Sequence, residues 1–284
     1  MLTIFALPRP FIGEFDIIQR NAIKSWTLLK PKCEIILFGN EKGTAEAAKE
    51  FGAKHMPEVK TNENGTPLAG DFLINGRKYA SYGILARLNA DIILMSDFIE
   101  AIQAIKKNTE DFLMVGRRQD LDVREEIDFG DPNWEKNMRE RVEREGKIHG
   151  RAGMDYWVFP KSIDFNPPPF TVGRCADDGW MIYQSRIRKI PVIDATESVS
   201  VIHQNHYYPQ KRKSFYGREV AENIRLAGGF SKIMTMNDAD WVFTSLGLSR
   251  PPFPRSLFAK LSLFYPWRLV LALKRKLQSW LFLR

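Results

Sequence analysis

The sequence predicts an α/β fold built on a mainly parallel sheet. Three observations carry this. Short β-rich runs alternate with stretches of helical spacing through the first hundred residues. Runs such as "LTIFALP" and "CEIILFG" end in Pro or Gly. A chain of 284 residues at 44% hydrophobic composition is also long enough to bury a large core.

The elements follow in order. "LTIFALP" and "CEIILFG" read as strands, and residues 14–29 and 43–51 carry the 3.6-residue spacing of helices. Residues 82–94 supply a further strand, interrupted by two polar residues, Asn89 and Asp91. Ser96 is placed to cap a helix over "DFIEAIQAIKK". Another strand, "DFLMVGRR", covers 111–118. Asp131 and Pro132 then read as cap and first turn of a helix running to Gly146, laced with pairs such as Glu135 with Arg139; its charge run reads as a solvated face. "MDYWVFP", a proline-rich turn at 167–169, the helix-like "WMIYQSRIRK" and a strand "IPVIDATESVSVIHQNH" complete the body. No repeat or low-complexity segment is present.

Cysteine usage and charge narrow the function classes. Cys33 and Cys175 lie far apart, so neither a disulfide framework nor a thiolate zinc site is supported, and a reducing compartment fits. The net charge is +8, but residues 241–284 hold eight Lys or Arg and no acid, which leaves 34 basic against 34 acidic residues before them. A neutral body argues against a nucleic-acid partner. The N-terminus reads as a first strand without a secretory leader. The longest apolar runs, such as 269–273, fall far short of the ~20 residues that span a bilayer.

"SRPPFPR" at 249–255 divides the chain into a body, 1–248, and a basic tail, 249–284. Pro266 splits the tail into predicted helices over 256–265 and 267–283. On the second, Arg268, Arg275 and Lys276 share one face, and Trp267, Val270, Leu271, Leu277, Trp280 and Leu281 take the other; Lys274 would have to snorkel. That composition suits an interfacial helix, so residues 253–284 are expected on an anionic membrane surface, with the protein cytoplasmic and peripheral on the inner face. A helix pair packed on the body or on a second subunit is the alternative.

Candidate chemistry begins with the interruption at 89–91. In open α/β sheets ligands bind beyond the carboxyl ends of strands, and a carboxylate there with an amide two residues before it can hold a hard divalent cation, with phosphate oxygens completing its octahedron. The same residues also fit a turn in which Asn and Asp satisfy their own backbone. His203 and His206 stand three apart in "HQNH", close enough for either to reach a metal at Asp91. "ADDGW" reads as a helix N-terminus with its acids favouring the dipole, and the adjacent Asp177 and Asp178 can raise one another's pKa. The turn "LPRPF" places Pro8 and Arg9 after the first strand. Arg118 and Asp120 follow a later one, where the planar fork of Arg118 suits an anion, a surface salt bridge being the alternative. Asp155 and Trp157 in "MDYWVF" set a carboxylate near an aromatic face, and a core Trp is the commoner role.

Taken together, Asn89-Ala90-Asp91, "GRCADDGW" at 173–180, "VIDAT" at 192–196 and "IHQNH" at 202–206 resemble the blocks of nucleotide-sugar glycosyltransferases of the GT-A fold, a bacterial group related to glycosyltransferase family 2. The likeness covers most of residues 1–230. It implies a nucleotide-sugar-binding mixed sheet flanked by helices. It further implies that Asp91, with Asn89 beside it, holds Mn²⁺ or Mg²⁺ and the donor diphosphate. Pro8 and Arg9 would meet the nucleotide of a UDP-linked donor. His203 and His206 would be further metal ligands, and Asp178 or Asp177 the base that acts on the acceptor. The activity implied is an inverting transferase of hexosyl type acting on a cell-envelope glycan or lipid-linked acceptor. The family motif has a carboxylate where this chain has Asn89, and more often an aromatic where it has Asp177. A nucleotidyltransferase is the rival enzyme class, although "LPRPFIGEF" is a poor version of its Gly-rich, basic loop. A catalytically inactive membrane-bound scaffold is the rival outside catalysis.

Overall fold

The computed structural model describes residues 1–207, 214–264, 268–270 and 273. The chain opens with β1 (Leu2–Ala6), α1 (Glu14–Leu28), β2 (Glu34–Phe38), α2 (Thr44–Phe51), β3 (Lys54–Met56), α3 (Ala69–Tyr79) and β4 (Ile84–Leu88). It continues through β5 (Ile92–Ile93), α4 (Ser96–Asn108), β6 (Leu113–Val115), β7 (Gln119–Leu121), α5 (Trp134–Glu145), β8 (Lys147–Ile148) and β9 (Tyr156–Pro160). The remainder is α6 (Asp177–Ile187), β10 (Val192–Asp194), β11 (Ile202–Gln204), α7 (Tyr216–Leu226), β12 (Trp241–Thr244), β13 (Gly247–Ser249) and α8 (Arg255–Leu261).

Among the described residues the main sheet has nine strands in the order β13-β12-β10-β6-β9-β4-β1-β2-β3. It is mixed: β9 runs antiparallel between β4 and β6, and β13 runs antiparallel to β12, while the other pairings are parallel. Strand alternation divides the core between the two faces. Ile4, Ala6, Ile84, Ala86 and Leu88 pack with α1 and α4 on one side. Phe5, Leu85, Trp157 and Phe159 pack with α3 and α6 on the other. Arg87 has the parity of this second face, where its guanidinium lies 4.4 Å from the Trp157 ring centre.

A second sheet, in the order β5-β11-β7-β8, sits at the carboxyl edge of the first. The chain crosses between them at residues 89–91. β4 ends at Leu88, the Asn89 amide donates to the carbonyl of Asp155, and the chain resumes as β5 against β11. The polar break in an otherwise apolar run is therefore the point where one strand leaves its sheet for another. The Trp26 indole N–H donates to the carbonyl of Ile92 at 2.8 Å and ties α1 to this crossing.

Several sequence expectations need correction. The run 190–206 is two strands in different sheets, β10 and β11, joined by a turn in which Thr196 binds Asp194. Ser96 opens α4 without capping it: its hydroxyl and amide both reach Glu135. The helix expected from Asp131 begins at Trp134, with the Asp131 carboxylate accepting from the Asn133 amide at 2.8 Å. α8, the described helix of the tail, packs against the body, the alternative left open above, with Arg186 donating to the Ala259 carbonyl and pairing with Asp240. The helix expected over 267–283 lies almost wholly outside the described residues, and among those residues no helix is long and apolar enough to cross a membrane.

Candidate active site

Three of the residues singled out from sequence converge. Asp91, His203 and His206 each offer a ligand atom, all within 4.8 Å of one another. The convergence is built by register. β11 pairs with β7 so that His203 stands beside Asp120, and with β5 so that His203 stands beside Ile92, next to Asp91. Gln204 locks the corner, donating to the carbonyls of Ile18 and Asp91 and accepting from Asn21. His206 follows the strand, and its ring packs 5.0 Å from Phe15 on α1.

Hydrogen bonding fixes which ring nitrogens face inward. His206 Nδ1 lies 2.8 Å from the carbonyl oxygen of Tyr207, which can only accept, so Nδ1 carries the proton. Nε2 faces Asp91 Oδ2, 3.0 Å away. His203 has Nδ1 3.1 Å from Asp120 Oδ1 and Nε2 3.6 Å from Asp91 Oδ2. Two imidazole Nε2 atoms and a carboxylate thus meet, and a divalent ion bound there would displace the proton from each Nε2. Asp91 Oδ1 is buried without a hydrogen-bond partner. A donor set of one carboxylate and two imidazoles, with an orphaned oxygen and imidazoles held from behind, fits a divalent ion such as Mn²⁺.

The surrounding charges keep this corner ionised. Burial alone would raise the Asp91 carboxyl, but the His206 contact and the charges of His203, His206 and Arg118 outweigh it and lower the pKa. Burial likewise opposes the His203 cation, and Asp120 and Asp91 overcome it and raise the pKa. Asp120 is lowered, with His203, His149 and Arg118 outweighing its desolvation.

The other expected residues lie around the trio. Asn89 donates its side-chain amide to the Asp155 carboxylate. Arg118 bridges two carboxylates, Asp120 and Asp155, each at 2.7 Å. Pro8 is buried, and the Arg9 backbone is clamped by Gln19, which accepts from its N–H and donates to its carbonyl. The Arg9 guanidinium lies 5.1 Å from the centre of Phe15, the ring that His206 packs against, so this turn borders the trio. Trp157 is core, buried under Arg87, and does not present a face to an acceptor.

The structure separates the two neighbouring aspartates. Asp177 is buried and accepts from Arg87 at 2.7 Å, so its carboxylate is committed to an ion pair. Asp178 is partly exposed, and desolvation together with the Asp177 charge raises its pKa well above the ordinary range, with Asp155 adding to the effect. Cys175 and Ala176, immediately before, adopt φ of 57° and 75°, a strained entry that sets where the first turn of α6 begins. Gly179 lets that turn close on the chain opposite, since a Cβ there would sit 2.4 Å from the Met234 carbonyl oxygen.

Residues that sequence reading missed hold this loop. Arg174 makes a buried 2.7 Å ion pair with Glu219 on α7, which also accepts from Asn62, Asn64 and Thr66. Asn223, one turn further along α7, donates to the carbonyls of Thr171 and Cys175. Arg87, Glu219 and Asn223 are polar residues on buried faces, and that incongruity was their only signal in the sequence.

No protein-family model and no curated protein sequence matches the chain. Solved structures do. TarS 1-349 of S. aureus, in complex with UDP-GlcNAc, superposes with a TM-score of 0.54 at 10% identity, over 82% of this chain and 67% of that one. Glucosyl-3-phosphoglycerate synthase from Mycobacterium tuberculosis, in complex with Mg²⁺ and UDP, gives 0.50 at 11% identity, over 81% and 80%. A crystal structure described as a mycobacterial protein gives 0.51 at 13%, over 81% and 75%. The likeness establishes the fold: the chain adopts the GT-A fold of nucleotide-sugar glycosyltransferases.

Proposed function

We propose that the chain is a metal-assisted glycosyltransferase that moves a hexosyl group from a UDP-linked donor to a hydroxyl of a cell-envelope glycan or lipid-linked acceptor. The observation that carries this reading is the buried, orphaned Oδ1 of Asp91 beside the inward-facing Nε2 atoms of His203 and His206, at the carboxyl edge of β4. That these residues would hold Mn²⁺ or Mg²⁺ draws support from the Mg²⁺ and UDP bound by the M. tuberculosis synthase of the same fold. A bound divalent ion supplies charge neutralisation for the departing diphosphate.

The chain's own residues do the rest. The Arg9 turn and Phe15 form the wall for the nucleotide. Arg118 holds Asp120 and Asp155 in place. Asp178 takes the proton of the attacking hydroxyl, and the burial and Asp177 charge that raise its pKa make it a stronger base. Asp177, held by Arg87, keeps Asp178 in position and adds the charge that raises it. A direct displacement of this kind inverts the anomeric centre.

Placement on a membrane is the second part of the reading. Phe253, Leu257 and Phe264 are exposed on the segment that carries Arg250 and Lys260, and this mixture of apolar and basic groups suits an anionic lipid surface on the cytoplasmic side.

A donor-hydrolysis screen of UDP-, GDP- and dTDP-sugars with Mn²⁺ tests the activity. Slow release of UDP from one donor, abolished in Asp91→Ala and retained in the exposed Glu143→Gln control, is the expected result. Release that is absent for every donor, or indifferent to Asp91→Ala, contradicts the reading.

A further inference from the structure

Two arginines from distant parts of the chain pair with one carboxylate, and a third is anchored on the turn beside it. Asp194, at the carboxyl end of β10, is buried. Its Oδ2 accepts from Arg151 at 3.1 Å and from Arg255 at 2.8 Å, and its Oδ1 is already taken by Thr196. Arg117, at the end of β6, joins them: its backbone N–H donates to Thr196 Oγ1 and its Nε to the carbonyl of His149. Burial and the neighbouring Arg151 charge hold the Arg117 pKa below the usual arginine value.

The charges do not balance. Three arginines are set against two acids, Asp194 and the exposed Glu197, and Asp194 is spent on its own turn and two of the three arginines. Arg255 Nε is buried without a partner. Arg117 and Arg151 are only partly buried, so their remaining donors are open to a ligand. A cation cluster with unused planar forks at a sheet edge suits a phosphate oxygen set, which can accept several charge-assisted bonds at once.

Hydrogen bonds link the cluster to both halves of the candidate active site. On one side, His149, whose carbonyl binds Arg117, places Nδ1 2.8 Å from Asp120, and Asp120 orients His203. On the other, the Gly179 carbonyl in the first turn of α6 accepts from the Met234 amide, and Met236 accepts from Arg255 and donates to the Arg151 carbonyl. Arg255 comes from α8, the segment that exposes Phe253 and Leu257.

Resting on the transferase reading above, we propose that Arg117, Arg151 and Arg255 form an anion subsite that binds a phosphate group of the acceptor and thereby presents its hydroxyl to Asp178. The phosphate could belong to a soluble phosphorylated acceptor or to a lipid phosphate, and both offer the same oxygens to the arginines.

Calorimetry of the full chain in EDTA, with inorganic phosphate in one arm and monomeric dihexanoyl phosphatidic acid in the other, tests the subsite. Binding is expected to weaken about tenfold or more in Arg117→Gln/Arg151→Gln, as loss of charge-assisted bonds predicts, and to be unchanged in Asp91→Ala. Tighter binding of the lipid phosphate identifies a lipid source, and equal or weaker binding a soluble one; either supports the site if it depends on the arginines. Should the double Gln variant not fold, Arg117→Lys/Arg151→Lys, which keeps the charge and loses the fork, is expected to bind several-fold more weakly than wild type. The proposal is overturned if neither probe binds, or if binding survives both double variants undiminished. Loss of the transferase reading shows separately, as failure of the donor-hydrolysis screen on the same preparation.

Discussion

His203 stands beside Asp120 in the parallel pairing of β11 with β7, its Nδ1 3.1 Å from Asp120 Oδ1 and its Nε2 3.6 Å from Asp91 Oδ2. A strand register thereby becomes a property of the metal-ligand set. Carboxylates behind ligating histidines fix the tautomer and raise the basicity of the ring.

Asp120→Asn is therefore expected to lower Mn²⁺ affinity about 10- to 100-fold while leaving the fold intact. Isothermal titration of Mn²⁺ into the variant checks this, and circular dichroism monitors folding. Unchanged affinity would mean that Asp120 does not orient His203.

Arg87 and Asp177 form a buried ion pair, with side-chain exposures of 7% and 6%. Replacing Arg87 by Met leaves an uncompensated carboxylate between β4 and α6, and is expected to cost about 3–5 kcal/mol. Urea denaturation of Arg87→Met, Asp177→Asn and the double variant provides the measurement. The double variant is expected to recover part of the loss.

Desolvation and the Asp177 charge raise the Asp178 pKa. A base must be deprotonated, so the transfer rate is expected to rise with pH through this raised value. Its acidic limb should lie clearly above the ~4 of an ordinary aspartate. Asp178→Asn is expected to lower kcat by about 100- to 10,000-fold with donor affinity retained. A pH-rate profile whose limb sits near an unperturbed aspartate would contradict the assignment.

At the opposite end of the sheet, Glu34 is held down to about 2: its desolvation is outweighed by hydrogen bonds from Lys54, Thr3 and Ser81. A depressed carboxyl contributes stability that is fully present above its unfolded value and lost as pH falls through the folded one. The stability gap between wild type and Glu34→Gln should therefore be constant near neutrality, begin to shrink below ~4.3 and close towards about 2. Urea midpoints across that range provide the check, and a gap independent of pH would count against the network.

The sequence carried the parts of this molecule that depend on local pattern. β1 and β2 are buried on both faces and read as apolar runs, and α1 shows its periodicity because its buried side is Ile18, Ala22, Ile23 and Trp26. Asn89 and Asp91 stood out as polar residues in a strand, and the paired histidines as rare residues near a strand end. What stayed hidden depends on long-range placement. α7 buries Glu219 and Asn223, so its inner face looks like a solvated one. α3 carries Gly70 and Gly76 on its packed side, which reads as loop. The alternation through 190–204 cannot show that the chain leaves one sheet for the other between β10 and β11. The partnership of Arg87 with Asp177, ninety residues apart, has no local trace.

Electron paramagnetic resonance of Mn²⁺ titrated into the protein with UDP tests the central claim most directly, because free Mn²⁺ gives a sharp signal that binding suppresses. Wild-type protein should take up the ion, with Asp91→Ala and His206→Ala leaving most of it in solution. Uptake that is unaltered when either side chain is removed, or that never occurs, would contradict a metal centre at the crossing from β4 to β5.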